Sequence, residues 1–328
     1  MSETPLLSVT SLRRHFGGGR SFLRTSRTIR AVEDVSLTVR VGETLGLVGE
    51  SGCGKSTTGR MVVGLETPTS GAILFKGQDL TALTPAGWQR QRRDIQIIFQ
   101  NPQAALDPRL PIARQIREPL DLHGIGEASG RDAEVARLMA AVALSAELSG
   151  RYPHQISGGQ AQRVVIARAL ALRPSLIVCD EPVSALDVSV QATVTDLLQD
   201  LQERFDIAYL FISHDLRVVK KLSHRIAVMY LGEIVEEGPT EPVYGSPLHP
   251  YTMALLAAIP DIAAPRGARR SRLTGDPPSP AAPPPGCHFH TRCPYARPRC
   301  AAEKPALRAL GPGRTVRCHF AEDLGAQA

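Results

Sequence analysis

The chain has 328 residues, a formal net charge of +6 and 43% apolar side chains, enough for one large domain with an appendage or for two domains. Aromatic residues make up only 5% and Trp88 is the single tryptophan, so aromatic platforms for stacking bases are not indicated. The net charge permits a nucleic acid or an anionic membrane surface as partner. The excess is spread along the chain, with only short clusters such as Arg13-Arg14 and Arg269-Arg270, which read as solvated surface, and no nucleic-acid partner is expected.

Residues 1–10 lack the pattern of a secretory signal, and the longest apolar run, 251–259, is far short of the roughly 18 residues a spanning helix needs. A cytoplasmic chain, soluble or peripheral to a membrane, is expected.

In chain order, strands are expected at 6–10 and 31–39, separated by an Arg-, Ser- and Thr-rich insertion around 17–20. Thr44-Leu45-Gly46-Leu47-Val48 predicts a buried strand, and 57–65 predicts a helix. Between them stands Gly49-Glu50-Ser51-Gly52-Cys53-Gly54-Lys55-Ser56-Thr57. Strand, glycine loop and helix form the setting in which G-x-x-x-x-G-K-[ST] becomes a phosphate-binding loop. Its glycines let backbone N–H groups turn towards an anion, and the helix N-terminus adds further donors. Lys55 can reach β- and γ-phosphates, and the Ser56 hydroxyl can sit on Mg²⁺.

Further strands are expected at 71–77 and 95–99, the second ending at Gln100. Residues 110–150 have helical spacing, as in Val135, Leu138, Met139 and Val142. Helices at 160–172 and 188–204 alternate with apolar strands at 176–179 and 208–212, which predicts an α/β core. The strand at 176–179 ends in Asp180-Glu181, where one acid can hold Mg²⁺ and the next can polarise an attacking water. Ser157-Gly158-Gly159-Gln160 opens a helix, with Ser157 as its N-cap.

Together 49–56, Gln100, Ser157 to Gln160, Asp180-Glu181, Ser184-Ala185-Leu186-Asp187 and His214 resemble the ATP-binding subunit of an ABC transporter, in order and spacing, across about residues 6–260. Ile156 departs from the leucine that often begins the family signature. The resemblance implies a P-loop cassette with a RecA-like core, an antiparallel β subdomain and a helical subdomain. It implies that Gln100 senses Mg²⁺ and the γ-phosphate. Ser157 to Gln160 and Asp187 would then act across a dimer of cassettes, and His214 would sit at the γ-phosphate. Phe16 is the best match to the aromatic that stacks on adenine. ATP with Mg²⁺ would bind between two ATPase subunits, a paralogous pair or two copies of this chain.

After Ile259 the composition shifts. Residues 260–286 form a Pro-rich linker, which divides an ATP-binding domain at 1–259 from a Cys-bearing module at 287–328. Cys287, Cys293, Cys300 and Cys318 crowd together in a chain read as cytoplasmic, where a metal is the better reading than disulfides. Four thiolates suit zinc or an iron–sulfur cluster, and the spacing matches neither standard pattern. Cys53 and Cys179 read as small core residues.

Residues 244–252 and 286–294 resemble the C-terminal extension of oligopeptide and dipeptide importer ATPases. That implies peptide import through two permease subunits, with an extracytoplasmic solute-binding protein, at the cytoplasmic face of the membrane. It also favours a four-iron–four-sulfur cluster over zinc. Nickel or other small-solute import, and a soluble non-transport ABC ATPase, are the alternatives. The metal centre is expected to be structural, holding the tail against the cassette dimer or a membrane subunit. Replacing Cys293 with Ser is then expected to unfold the tail and impair assembly or transport while ATP binding at Lys55 survives.

Overall fold

The computed structural model describes residues 4–17, 20–21, 24–25, 28–259 and 275–325. Most of the proposed linker, 260–274, thus lies outside the described residues. The chain divides into two compact units with interleaved segments, one built on Val39–Glu43 and Ala82–Ile212, the other on Pro5–Thr38, Thr44–Thr81 and the chain from Ser213 onward.

The first 81 residues open with β1 (Leu7–Phe16), followed by a small hairpin, β2 (Arg20–Ser21) and β3 (Arg24–Thr25), inside the expected insertion. Next come β4 (Ile29–Val39), β5 (Thr44–Val48), α1 (Lys55–Val62), β6 (Ser70–Phe75) and β7 (Gln78–Asp79). All five residues of β5 are buried, which its unbroken apolar pattern required. α1 turns Met61 and Val62 into the core and starts two residues earlier than the spacing suggested. Antiparallel pairing of β1 with β6, and of β6 with β7, builds the antiparallel layer.

Residues 82–212 make the other unit. They contain α2 (Pro85–Gln91), β8 (Ile95–Ile98), α3 (Ile112–Leu122), α4 (Arg131–Ala141), α5 (Gly158–Leu170), β9 (Leu176–Asp180), α6 (Val188–Phe205) and β10 (Ala208–Ser213). β9 lies between β8 and β10, both parallel to it, with Leu176 opposite Ile95 on one side and Ala208 on the other. Every residue of β9 and of β10 is buried. α3, α4 and α5 pack against one another and bury Ile112, Ile116, Leu138, Val165 and Ile166.

From Ser213 the chain returns to the larger unit with α7 (Leu216–Leu222), β11 (Arg225–Tyr230), β12 (Glu233–Pro239), α8 (Thr240–Gly245) and α9 (Pro250–Ala257). The tail adds α10 (Pro298–Ala302), β13 (Arg308–Ala309), β14 (Thr315–Val316) and α11 (Ala321–Gly325). β11 runs parallel to β5 and antiparallel to β12. β14 pairs with β12, placing Val316 opposite Glu236, so the tail extends this sheet. Val316 and Ala321 are fully buried against Leu248. Among the described residues no helix is long and apolar enough to cross a membrane.

Candidate active site

The phosphate-binding loop joins β5 to α1, as its glycine pattern requires. Gly49 has φ 154° and Gly54 φ 109°, and a Cβ on either would come within 2.2 Å of a backbone oxygen, that of Met229 or that of Ala31. Only glycine fits both the torsion and the space. Gly54 caps α1, and the N–H and hydroxyl of Thr58 both donate to its carbonyl. Ser51 and Gly52 are exposed at the loop's crest, with Ser56 and Thr57 half-buried behind them. Lys55 is 4% exposed, and its ammonium donates to the carbonyls of Gly49 at 2.8 Å and Glu50 at 2.9 Å. A cation is thereby fixed within a ring of backbone groups at a helix N-terminus, an arrangement suited to a polyphosphate. Cys53 is buried beside it, and burial pushes its thiol up although Lys55 opposes the shift.

In the other unit, β9 delivers Asp180, buried at the strand's end, and the half-buried Glu181 follows. Glu181 has φ 52°, a left-handed conformation uncommon for a residue other than glycine. Its N–H donates to the Ile212 carbonyl at 2.9 Å, and its own carbonyl accepts from the Ser184 hydroxyl at 3.0 Å. Gln100, exposed just beyond β8, donates through Nε2 to the Glu181 carboxylate at 3.1 Å. The structure therefore joins two residues that the sequence left 81 positions apart. Cys179 is fully buried, and burial raises its thiol, in keeping with a core role.

Ser157 caps α5 as expected and forms a capping box. Its hydroxyl accepts from the Gln160 N–H at 3.3 Å, and the Gln160 side chain accepts from its N–H at 2.9 Å. Ser157 and Gly158 are exposed. Gly159 has a reason the sequence did not reveal: a Cβ there would stand 2.6 Å from Val190 Cγ1 on α6. Asp187 begins α6 and is exposed, as is Val188 beside it.

His214 is exposed directly after β10 and before the Asp215 cap of α7. Phe16 ends β1 and is half-buried, with the Arg14 guanidinium 4.4 Å from its ring centre.

Cys287, Cys293, Cys300 and Cys318 line one small cavity with Phe289, His290 and His319. Burial, reinforced by charge on neighbouring sulfurs, raises Cys287 to about 11 and Cys293 to about 12, which favours the protonated thiols. Among the described residues no group of three or more His, Cys, Asp or Glu side chains is arranged to hold a metal ion. The iron–sulfur centre that the resemblance favoured is therefore not supported by the arrangement: the sulfurs line one cavity without forming a recognisable ligand set. The tail also meets the phosphate loop. Arg292, next to Cys293, forms a two-point ion pair with Glu50 of the phosphate loop at 2.7 and 3.0 Å. Tyr251 accepts the Glu50 N–H at 2.8 Å. Tyr251 lay in a stretch singled out by resemblance, whereas nothing in the sequence linked Arg292 to Glu50.

Comparison with known proteins agrees with this geometry. The family model described as ABC transporter matches residues 32–184, and the model described as oligopeptide/dipeptide transporter, C-terminal region, matches 235–300. The dimeric ATP-binding cassette MJ0796, in a post-hydrolysis state with ADP and phosphate, aligns with a TM-score of 0.64 and 28% identity. The alignment covers 71% of this chain and 98% of that one. CbiO1 of Clostridium perfringens aligns with a TM-score of 0.66 at 24% identity over 74% of this chain and 92% of its own, a likeness of fold. The cassette fold is that of an ABC-type ATPase.

The oligopeptide transport ATP-binding protein AppF of Bacillus subtilis is 49% identical over 91% of this chain and 92% of its own. A putative peptide import ATP-binding protein of Brucella abortus is 52% identical over 89% of this chain and 87% of its own. The chain belongs to the ABC transporter ATP-binding family, in its oligopeptide/dipeptide branch.

Proposed function

We propose that this chain is the ATP-binding and ATP-hydrolysing subunit of a peptide importer, bound at the cytoplasmic face of the membrane to two separate permease subunits. The observation that carries the reading is identity of 49–52% with ATP-binding proteins named for peptide transport, across about nine-tenths of the chain. A second ATPase subunit, paralogue or copy, and an extracytoplasmic solute-binding protein complete the assembly. Residues 1–259 form the ATP-binding domain, 260–286 the linker and 287–328 the C-terminal module.

The roles follow from chemistry at each position. Backbone N–H groups of 49–57 and the Lys55 ammonium receive the β- and γ-phosphates. The Ser56 hydroxyl and the Asp180 carboxylate, both hard oxygen donors, would hold Mg²⁺, which neutralises charge on the phosphate oxygens. Glu181 accepts a proton from the attacking water, and Gln100 orients its carboxylate. His214 donates to the γ-phosphate. Adenine stacks on Phe16, on the face opposite Arg14. Ser157, Gly158, Gly159, Gln160 and Asp187 serve the nucleotide held by the partner subunit, so a monomer lacks part of the γ-phosphate's donors and hydrolyses slowly.

For Cys287, Cys293, Cys300 and Cys318 the reading is a thiolate metal centre, a four-iron–four-sulfur cluster, with zinc as the alternative. It rests on the resemblance of 286–294 to importer ATPase tails, the four thiols lining one cavity without a formed ligand set. Iron with broad absorbance near about 400 nm in anaerobically purified full-length protein is the expected result. One zinc per chain would replace the cluster, and four free thiols without metal would remove the centre.

The functional reading is tested by co-expressing the full chain with permeases and a partner ATPase and measuring hydrolysis. Stimulation by a peptide-loaded binding protein is expected. Purification with RNA, and no stimulation, would contradict it.

A further inference from the structure

Glu50 stands second in the phosphate loop, an anion where a polyphosphate is to be received. Each of its polar groups is held. Its N–H donates to the Tyr251 hydroxyl, its carbonyl accepts from Lys55, and both carboxylate oxygens accept from the Arg292 guanidinium. The Arg292 side chain is only 4% exposed. Its guanidinium lies 5.9 Å from the Tyr230 ring centre. Phe289, three residues earlier, meets Tyr230 edge-on at 5.3 Å and Tyr251 at 5.5 Å. Tyr230 and Tyr251 are themselves 4.6 Å apart, and all three rings are buried. Arg292 is thus seated on a packed aromatic base, and a planar two-point pair fixes orientation as well as distance.

Two consequences follow. The ion pair neutralises Glu50, which would otherwise repel the incoming phosphates. It also fixes the peptide whose carbonyl, with that of Gly49, holds the Lys55 ammonium. A charge from the C-terminal segment therefore completes the electrostatics of a loop 242 residues away.

We propose that Arg292 is a positioning residue of the nucleotide site: by neutralising Glu50 it sets the affinity of the phosphate loop for ATP. The inference rests on reading 49–57 as the ATP loop.

The test is equilibrium binding of MgATP to the full-length chain, with melting temperature followed in parallel. Arg292→Gln should weaken binding roughly tenfold, the size expected for an uncompensated charge beside a polyphosphate. Removing the exposed anion as well, in the double variant E50Q/R292Q, should restore affinity to within about threefold of wild type, an effect a merely structural role would not produce. Arg292→Lys, which gives up the two-point fork but keeps the charge that neutralises Glu50, should also stay within about threefold, and it decides the matter where Arg292→Gln does not fold. Affinity of Arg292→Gln within twofold of wild type, a double variant as weak as Arg292→Gln, or a tenfold loss in Arg292→Lys would each overturn the role. A wild-type chain that binds no MgATP would instead overturn the loop reading beneath it.

Discussion

Glu181 holds a left-handed backbone at φ 52°, a conformation that costs a non-glycine residue roughly 1–3 kcal/mol. Its hydrogen bonds to Ile212 and Ser184 keep it there, so a glutamine of the same shape should be accommodated. Glu181→Gln is expected to bind ATP normally, slow hydrolysis by about 10²–10⁴ and trap the ATP-bound dimer. Turnover near wild type would remove Glu181 as the base. Lys55→Ala removes the ammonium held by Gly49 and Glu50 and should abolish tight nucleotide binding, read by titration with MgATP. Both residues were legible in the sequence, because a strand, a glycine turn and a helix are local. The twist at Glu181 was not, since its cause is Ile212, 31 positions later.

At the scale of elements, the apolar strands β5, β9 and β10 were readable because every residue in them is buried. β12 was missed for a physical reason. It carries Glu233, Glu236 and Glu237, which read as solvated surface, yet Glu236 is fully buried. The Glu236 carboxylate accepts from Arg314 at 2.7 Å and from the N–H groups of Leu248 and His249 at 2.9 Å.

The same region predicts a pH dependence. His249 caps α9, its Nδ1 accepting the Tyr251 N–H, and burial depresses its pKa to about 3. The unfolded chain takes up this proton near pH 6.5 while the native state refuses it. Stability from this group is therefore intact above about pH 6.5. It falls as pH drops towards 3, by at most about 1.4 kcal/mol per unit. Melting temperature should decline less steeply from pH 7 to 5 in His249→Asn than in wild type; parallel declines would refute the assignment. On α5, Ser157→Arg should leave ATP binding by the monomer largely intact and block dimer closure. Equal loss of ATP binding in isolated Ser157→Arg and Lys55→Ala chains would contradict a signature that serves the partner's nucleotide.

At the scale of the whole molecule, the tail proved less separable than its composition suggested. A Pro-rich stretch followed by crowded cysteines reads as an appendage, but β14 extends the sheet and Arg292 reaches the phosphate loop. Contacts across such separations leave no periodic trace in sequence, whereas family resemblance along 6–260 and 286–294 identified the cassette and its branch. What the chain powers is the central claim, and uptake tests it most directly. Vesicles carrying the permeases, the partner ATPase, the binding protein and this chain should accumulate labelled dipeptide or oligopeptide only with ATP inside the compartment this subunit faces. Accumulation should cease with Glu181→Gln. Accumulation of nickel in the same vesicles, with no ATP-dependent uptake of any peptide, would contradict the account.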